Sequence, residues 1–368
     1  PHRLFRRQRQ MCIRDRIMAS PRERTLAWTR LSDGGALELP SVIPTEGKPQ
    51  AVAAGDFDGD GSLDLAYASV EKRDRKLLVA TGASQWNDQS LIEIEELDTD
   101  PADLRVVDLD GDRQPDLVLF VNRDALRLVA RNDDGSLREI GSESDFRRAL
   151  VDDVEPSALT TGDADGDGVD EMIIARSGFA RALRLDTTDN LQVVAQFNAR
   201  TSDAAIASAS VLGAEGTRNR LVALLEPVNN RLQLLNRRRG GVWRFLETID
   251  LPPVDLVEVR AVDLDNSGTD DLVIFGADRV IWLPVGSDEP TITPVSSWES
   301  DLESVNYQLL GVGDLDADGQ PEVVAIDTRD SHVLEVLRPG PRNGWKSLLH
   351  FTVFEVDPHY EGQRGAVN

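Results

Sequence analysis

Four carboxylates crowd into nine residues in the stretch GDFDGDGSLDLAYAS (55–69), at Asp56, Asp58, Asp60 and Asp64. Counted from the first aspartate, the acids stand at offsets 0, 2, 4 and 8, and the pattern returns four times. It recurs as Asp108, Asp110, Asp112 and Asp116; as Asp163, Asp165, Asp167 and Glu171; and as Asp314, Asp316, Asp318 and Glu322. A further copy holds Asp263, Asp265 and Asp271, with Ser267 at offset 4. Carboxylates about 4 Å apart repel by about 4 kcal/mol per pair at an effective dielectric near 20, so a compensating cation is expected. A hard divalent ion that takes six to eight oxygen ligands answers the demand, and calcium does so better than magnesium, which keeps its waters in octahedral geometry. Side chains at offsets 0, 2 and 4 converge inside a tight loop, and the acid at offset 8 closes the shell. The backbone carbonyl at offset 6 adds a ligand from Ser62, Gln114, Val169, Thr269 or Gln320. Glycine at offset 5 supplies the positive φ of the bend. Two loops depart from the pattern: Arg113 replaces that glycine in the second, and Ser267 lowers the charge of the fifth. Up to five calcium ions are therefore expected, with the sites at Asp108 and Asp263 the weaker.

The competing all-oxygen loop is the EF-hand, which needs a bidentate glutamate at offset 11 and a following helix. Offset 11 holds Tyr67, Leu119, Ile174, Ile274 and Ala325, all inside apolar, strand-like runs. An EF-hand is excluded. Catalysis by such an ion needs an open coordination position and a nearby acid or base. The four histidines, His2, His332, His350 and His359, show no metal-ligand spacing, and no nucleophile elbow, zinc motif or phosphate loop is present. The expectation is an ion that staples structure, in a protein that is not an enzyme.

The loops recur at a period near 50 residues, with a double step between Asp163 and Asp263. The missing copy lies near residue 212, in AIASASVLGAEGTRNRLVALL, where the flanking apolar segments survive, the acids are gone and Arg220 takes the last ligand position. No metal is expected there. Each repeat reads as four short strands, the second almost wholly apolar, as in PDLVLFV (115–121) and DLVIFGA (271–277). Such a strand is buried on both faces. Four-stranded units at this period describe an all-β propeller with six full repeats. TLAWTRLSDGGALELPSVIP (25–44) matches a third and fourth strand, giving an N-terminal half blade. A seven-blade design is expected, cut short at the C-terminus, where a closing motif would fall near residue 365. The alternative is closure at six blades with the N-terminal hairpin as an addition.

These repeats resemble the FG-GAP/VCBS type, the calcium-loop blades of integrin alpha-subunit-like propellers and of bacterial secreted proteins. The resemblance runs from about Thr25 to the end of the chain. It implies that the loop joining the first and second strands of a blade binds calcium through the residues given above. It also implies an extracellular, cell-surface or periplasmic adhesion module.

Composition agrees. The formal net charge of −25 excludes nucleic acid and anionic membrane surfaces as partners, and no apolar run is long enough to span a bilayer. Acidic loops of this kind suit roughly 0.1–1 mM calcium, a level found outside cells. Residues 1–24 stand apart, with eight arginines against two acids and the single cysteine, Cys12. They read as a disordered basic leader or a gene-model artefact preceding the propeller at 25–368, with no signal peptide. The expected partner is a protein or a glycan. Alternatives are the propeller of a polysaccharide lyase or hydrolase, or a spacer in a larger surface protein. Trp86, Trp243 and Trp345 recur at one place in their repeats. They pack between blades or, alternatively, stack on sugars.

Overall fold

The computed structural model describes residues 15–352 except 22, 31–38, 83–84, 95–96, 133, 141–144, 214–219, 238–240, 286–295, 302–304, 308, 316–317, 328–332 and 341–343. These residues form seven antiparallel sheets, the blades of a propeller, each built from strands consecutive in sequence. Blade 1 comprises β1 (Asp15–Ser20), β2 (Thr25–Arg30) and β3 (Ser41–Ile43). Blade 2 comprises β4 (Lys48–Gly55), β5 (Asp64–Glu71), β6 (Asp74–Ala80) and β7 (Gln89–Ile92), and blade 3 β8 (Pro101–Val107), β9 (Asp116–Val121), β10 (Arg127–Arg131) and β11 (Leu137–Ile140). Blade 4 comprises β12 (Leu159–Gly162), β13 (Glu171–Arg176), β14 (Phe179–Leu185) and β15 (Leu191–Asn198). Blade 5, the acid-free repeat, keeps all four strands: β16 (Ser208–Gly213), β17 (Arg220–Glu226), β18 (Arg231–Arg237) and β19 (Trp243–Asp250). Blade 6 holds β20 (Leu256–Val262), β21 (Asp271–Gly276), β22 (Arg279–Leu283) and β23 (Ser296–Glu299), and blade 7 β24 (Leu309–Gly313), β25 (Glu322–Ile326), β26 (Val333–Pro339) and β27 (Trp345–Thr352).

Alternation along the second strands explains why they are apolar throughout. Leu65 and Tyr67 of β5 pack toward blade 1 with Leu26 and Ile43, whereas Ala66 and Ala68 pack toward blade 3 with Leu117 and Leu119. In β21, Leu272 and Ile274 face blade 5 while Val273 and Phe275 face blade 7. With side chains alternating between faces, a strand sandwiched between blades needs an apolar residue at every position. The core is thus a chain of clusters, each shared by neighbouring blades.

Two expectations change. Residues 15–20, assigned above to the leader, form β1, which pairs with β2 from Asp15↔Arg30 to Ser20↔Thr25 and packs beside β4. Ile17 and Ala19, two apart, pack on the blade 1–blade 2 cluster. Blade 1 therefore has three strands rather than a two-stranded half, and closure at six blades with an added hairpin is ruled out. Trp28 on β2 meets Trp86 as Trp282 on β22 meets Trp345, so β2 occupies a third-strand position, as its sequence indicates, and β1 a second. Residues 1–14 lie outside the described residues, as does the position near 365 where a closing motif was expected; no truncation at the C-terminus is shown. One short helix was not anticipated: α1 (Asp145–Val151), between blades 3 and 4, buries Leu150 and Val151. The Val151 carbonyl accepts the Leu126 N–H at 2.9 Å.

Polar contacts lace the innermost strands together. Thr160 Oγ1 donates to the Ala209 carbonyl at 2.5 Å, and Ser210 Oγ accepts the Ala261 N–H at 2.8 Å. Arg105 Nη1 on β8 donates to the Leu159 carbonyl at 2.9 Å and lies 4.0 Å from Glu258 Oε1 on β20.

Candidate metal centres

Each acidic loop spans the turn from a blade's first strand to its second. The ladder closes at Gly55↔Asp64, Val107↔Asp116, Gly162↔Glu171, Val262↔Asp271 and Gly313↔Glu322, so the offset-8 acid is the first residue of the second strand. That residue is buried in all five blades.

The loop's own backbone folds around the carboxylates. At offset 0, one oxygen accepts the N–H of offset 3 (Gly59 to Asp56 2.7 Å, Gly111 to Asp108 2.7 Å, Gly166 to Asp163 2.6 Å). The other accepts the N–H of offset 5 (Gly61 3.0 Å, Arg113 2.8 Å, Gly168 3.0 Å). The same bond reaches Asp263 from Gly268 at 2.9 Å and Asp314 from Gly319 at 2.9 Å. The acid at offset 2 accepts from offset 4, and the acid at offset 4 from offset 6, as in Asp60 to Asp58 at 3.0 Å and Ser62 to Asp60 at 2.6 Å. These bonds force two left-handed residues. Offset 5 has φ of 85° at Gly61, 89° at Gly168, 85° at Gly268 and 90° at Gly319, and Arg113 is drawn to 69°. Offset 3 has φ of 81° at Gly59, 84° at Gly111, 82° at Gly166 and 59° at Asn266, a second constraint beyond the glycine at offset 5.

In three loops the acids at offsets 0, 2 and 8 bring one ligand oxygen each to within 4.8 Å of one another: Asp56, Asp58 and Asp64; Asp108, Asp110 and Asp116; Asp163, Asp165 and Glu171. Asp60, Asp112 and Asp167 stand at the loop rim, bonded to the backbone N–H of Ser62, Gln114 and Val169. Asp263, Asp265 and Asp271 are not among these groups; Ser267 Oγ takes the fourth place and accepts the Thr269 N–H at 3.3 Å. In the last loop Asp316 lies outside the described residues, and Asp318 accepts the Gln320 N–H at 2.8 Å.

Burial makes these charges costly. Desolvation pushes Asp108 and Asp271 up to about 6, and Asp116 and Glu171 up to about 7. Asp64, Asp110 and Asp165 move the same way for the same reason. Asp167 goes the other way: burial is the largest single influence and pushes its pKa up, but the hydrogen bonds from Arg184 and the Val169 N–H, with the charge of Arg184, together outweigh it and hold it below its ordinary range. Glu171 Oε1 is buried and accepts no hydrogen bond. All-oxygen donors, raised pKa values and a buried oxygen without a hydrogen-bond donor fit a hard cation.

The offset-8 carboxylate also ties the loop to the blade. Its second oxygen accepts the N–H of Gly82 (Asp64, 2.7 Å), Arg131 (Asp116, 2.7 Å) or Val285 (Asp271, 2.9 Å). Arginines near the ends of third strands cluster here, and sequence spacing had not singled them out. Arg184 pairs with Asp167 at 2.9 Å, Glu171 at 3.3 Å and Asp165 at 3.7 Å. Arg338 pairs with Asp318 at 2.8 Å and with Glu322. Arg220, in the ligand position of blade 5, crosses to Asp163 of blade 4 at 2.7 Å. Recurrence of a basic residue at the end of "RLVAR", "RALR", "LQLLNR" and "LEVLR" was the available signal.

The tryptophans pack between blades. Trp86 meets Trp28 at 5.5 Å between ring centroids, Trp243 meets Phe197 at 5.0 Å and Trp345 meets Trp282 at 6.0 Å, each edge-on to a ring of the preceding blade.

Comparison with known proteins agrees with this picture. Residues 108–174 match the FG-GAP-like repeat, covering the second and third acidic loops. No curated protein matches the chain. Among solved structures, a periplasmic gluconolactonase of Pseudomonas aeruginosa is similar at 14% identity and a TM-score of 0.60, over 92% of this chain and 95% of that one. A Lactobacillus plantarum protein is similar at 11% identity and 0.58, over 92% and 95%. A functionally unknown protein of Desulfotomaculum acetoxidans is similar at 13% identity and 0.55, over 91% and 94%. At such identities the likeness is one of fold. Among the described residues no helix is long and apolar enough to cross a membrane. The chain is a seven-bladed β-propeller carrying an FG-GAP-like repeat, with acidic first-to-second-strand loops that can hold metal ions.

Proposed function

We propose that this propeller is an extracellular or periplasmic calcium-binding module that recognises a protein or glycan and is not itself an enzyme. The observation that carries the calcium reading is the convergence of three carboxylates within 4.8 Å in each of three successive blades. Like loops repeated in successive blades are a scaffold arrangement, whereas a catalytic centre is a single place in a ring. Asp56, Asp58, Asp60 and Asp64 hold one ion, Asp108, Asp110, Asp112 and Asp116 a second, and Asp163, Asp165, Asp167 and Glu171 a third. The loops at Asp263 and Asp314 complete the set of five. The periplasmic origin of one structural neighbour is consistent with a calcium-rich compartment.

The test is calorimetric titration with calcium together with thermal unfolding. Ligand that binds only the native state stabilises it by mass action, so a chelator lowers the melting temperature by several degrees. A melting curve indifferent to chelator and to millimolar calcium rejects the reading.

A further inference from the structure

We propose that Arg184 and Arg338 are built-in counter-ions that compete with the divalent ion for the loops of blades 4 and 7, so that these two sites fill after those of blades 2 and 3. The inference rests on the calcium reading above and concerns the order and affinity of binding.

The five acidic loops fall into two classes by the residue at offset 8. Where it is aspartate, both carboxylate oxygens are taken by N–H groups of the blade itself. Asp64 accepts from Phe57 and Gly82, Asp116 from Leu109 and Arg131, and Asp271 from Val285 and the Trp282 indole at 3.0 Å. Where it is glutamate, one oxygen keeps a loop bond, from Ala164 to Glu171 at 2.8 Å and from Leu315 to Glu322 at 2.6 Å. The longer side chain turns its other oxygen toward the arginine of the third strand. Arg184 Nη1 stands 3.3 Å from Glu171 Oε1, and Arg338 Nε donates to Glu322 Oε1 at 2.7 Å. Each arginine also takes the offset-4 acid, Asp167 at 2.9 Å and Asp318 at 2.8 Å. Glutamate at offset 8 and an arginine bridging offsets 4 and 8 thus occur together, twice, in one chain.

A guanidinium and a cation need the same oxygens. In blade 4 every acid of the loop is engaged: Asp165, Asp167 and Glu171 by Arg184, and Asp163 by Arg220. In blades 2 and 3, among the described residues, no ion pair reaches any of the four loop acids. An ion entering blade 4 must displace Arg184, whose side chain is 26% exposed and has a path to solvent. An ion entering blade 2 displaces no guanidinium paired with a loop acid among the described residues.

The experiment is calcium titration of the whole chain and of Arg184→Met, by calorimetry, with unfolding in chelator measured alongside. The variant is expected to tighten one class of site by about tenfold, the order expected for losing hydrogen bonds to a charged partner. Its ion count stays unchanged, and its melting temperature falls in chelator only. Asp163→Ala removes the tightened class and assigns it to blade 4. Arg338→Met repeats the test in blade 7 if Arg184→Met does not fold. Calcium affinities unchanged or weakened in these variants, with ions still bound, overturn the inference and leave the calcium reading standing. A parent chain that binds no calcium overturns both, before any variant is made.

Discussion

Arg220 and Asp163, 57 residues apart, meet across the boundary of blades 4 and 5 at 2.7 Å with side chains 10% and 12% exposed. Arg220 Nε also donates to the Asp163 carbonyl at 3.0 Å. The blade that has lost its own acids has turned the residue at its vacant ligand position into a clasp on its neighbour. Removing one partner of a shielded pair leaves the other charge uncompensated. Arg220→Ala should therefore cost about 2–3 kcal/mol in chelator. Part of that loss should return with calcium, which replaces the missing positive charge. Urea unfolding with and without calcium measures both.

Arg113 is the one non-glycine observed at offset 5, and it is held at φ 69°. The left-handed region costs an L-residue about 1–2 kcal/mol. Arg113→Gly should stabilise the protein by about 1 kcal/mol after the extra backbone entropy of glycine is deducted. The converse, Gly168→Ala at φ 89°, has no atom within 4 Å of the added methyl, so its loss reads backbone strain alone. Opposite signs in a denaturant melt are expected; the same sign for both would refute the strain argument.

The buried acids predict a pH response. Asp108 and Asp271 titrate near 6, and Asp116 and Glu171 near 7, in the fold, against about 4 in an unfolded chain. The folded state holds the extra protons, so the stability they support is full below about pH 4 and is lost as pH rises through 6 to 7. In chelator the melting temperature should fall between about pH 4 and pH 7. Calcium must displace those protons, so its affinity should rise over the same interval. A calcium affinity flat across that range would contradict the ligand assignment.

Trp86 sits edge-on to Trp28 and donates its indole N–H to the Leu63 carbonyl at 3.0 Å, beside the first acidic loop. Trp86→Ala should cost about 2–3 kcal/mol, less than a fully buried aromatic because the ring is half-exposed. Trp86→Phe keeps the ring contact and should lose about 1 kcal/mol, the hydrogen bond. Equilibrium unfolding separates the two. A sugar-stacking platform would leave both variants as stable as the parent.

The repeat made the second strands and the loops legible, because the blade's central strand needs apolar residues on both faces and the loop needs acids at fixed offsets. Val273 and Phe275 could be read as buried without knowing which neighbour they meet. β1 was hidden by its company: Ile17 and Ala19 alternate correctly, but arginines crowd around them and composition outweighed period. Arg184 and Arg338, and the pairing of Arg220 with Asp163, escaped because the partners lie on other strands or in another blade, and motif spacing carries no information about such distances. The left-handed residue at offset 3 was available in Gly59, Gly111 and Gly166, but only the hydrogen bond to offset 0 shows why it is required.

Every first-to-second-strand turn emerges on the same side of the disc, because successive blades repeat one up-and-down path. The molecule is consequently two-faced. One side concentrates the carboxylate loops and the turns that carry Trp86 and its counterparts, and the other carries the second-to-third-strand turns. Loading with divalent ions changes the charge of one side alone. It would weaken the repulsion of an anionic neighbour on that side alone, and so bias the way up in which the disc meets another surface.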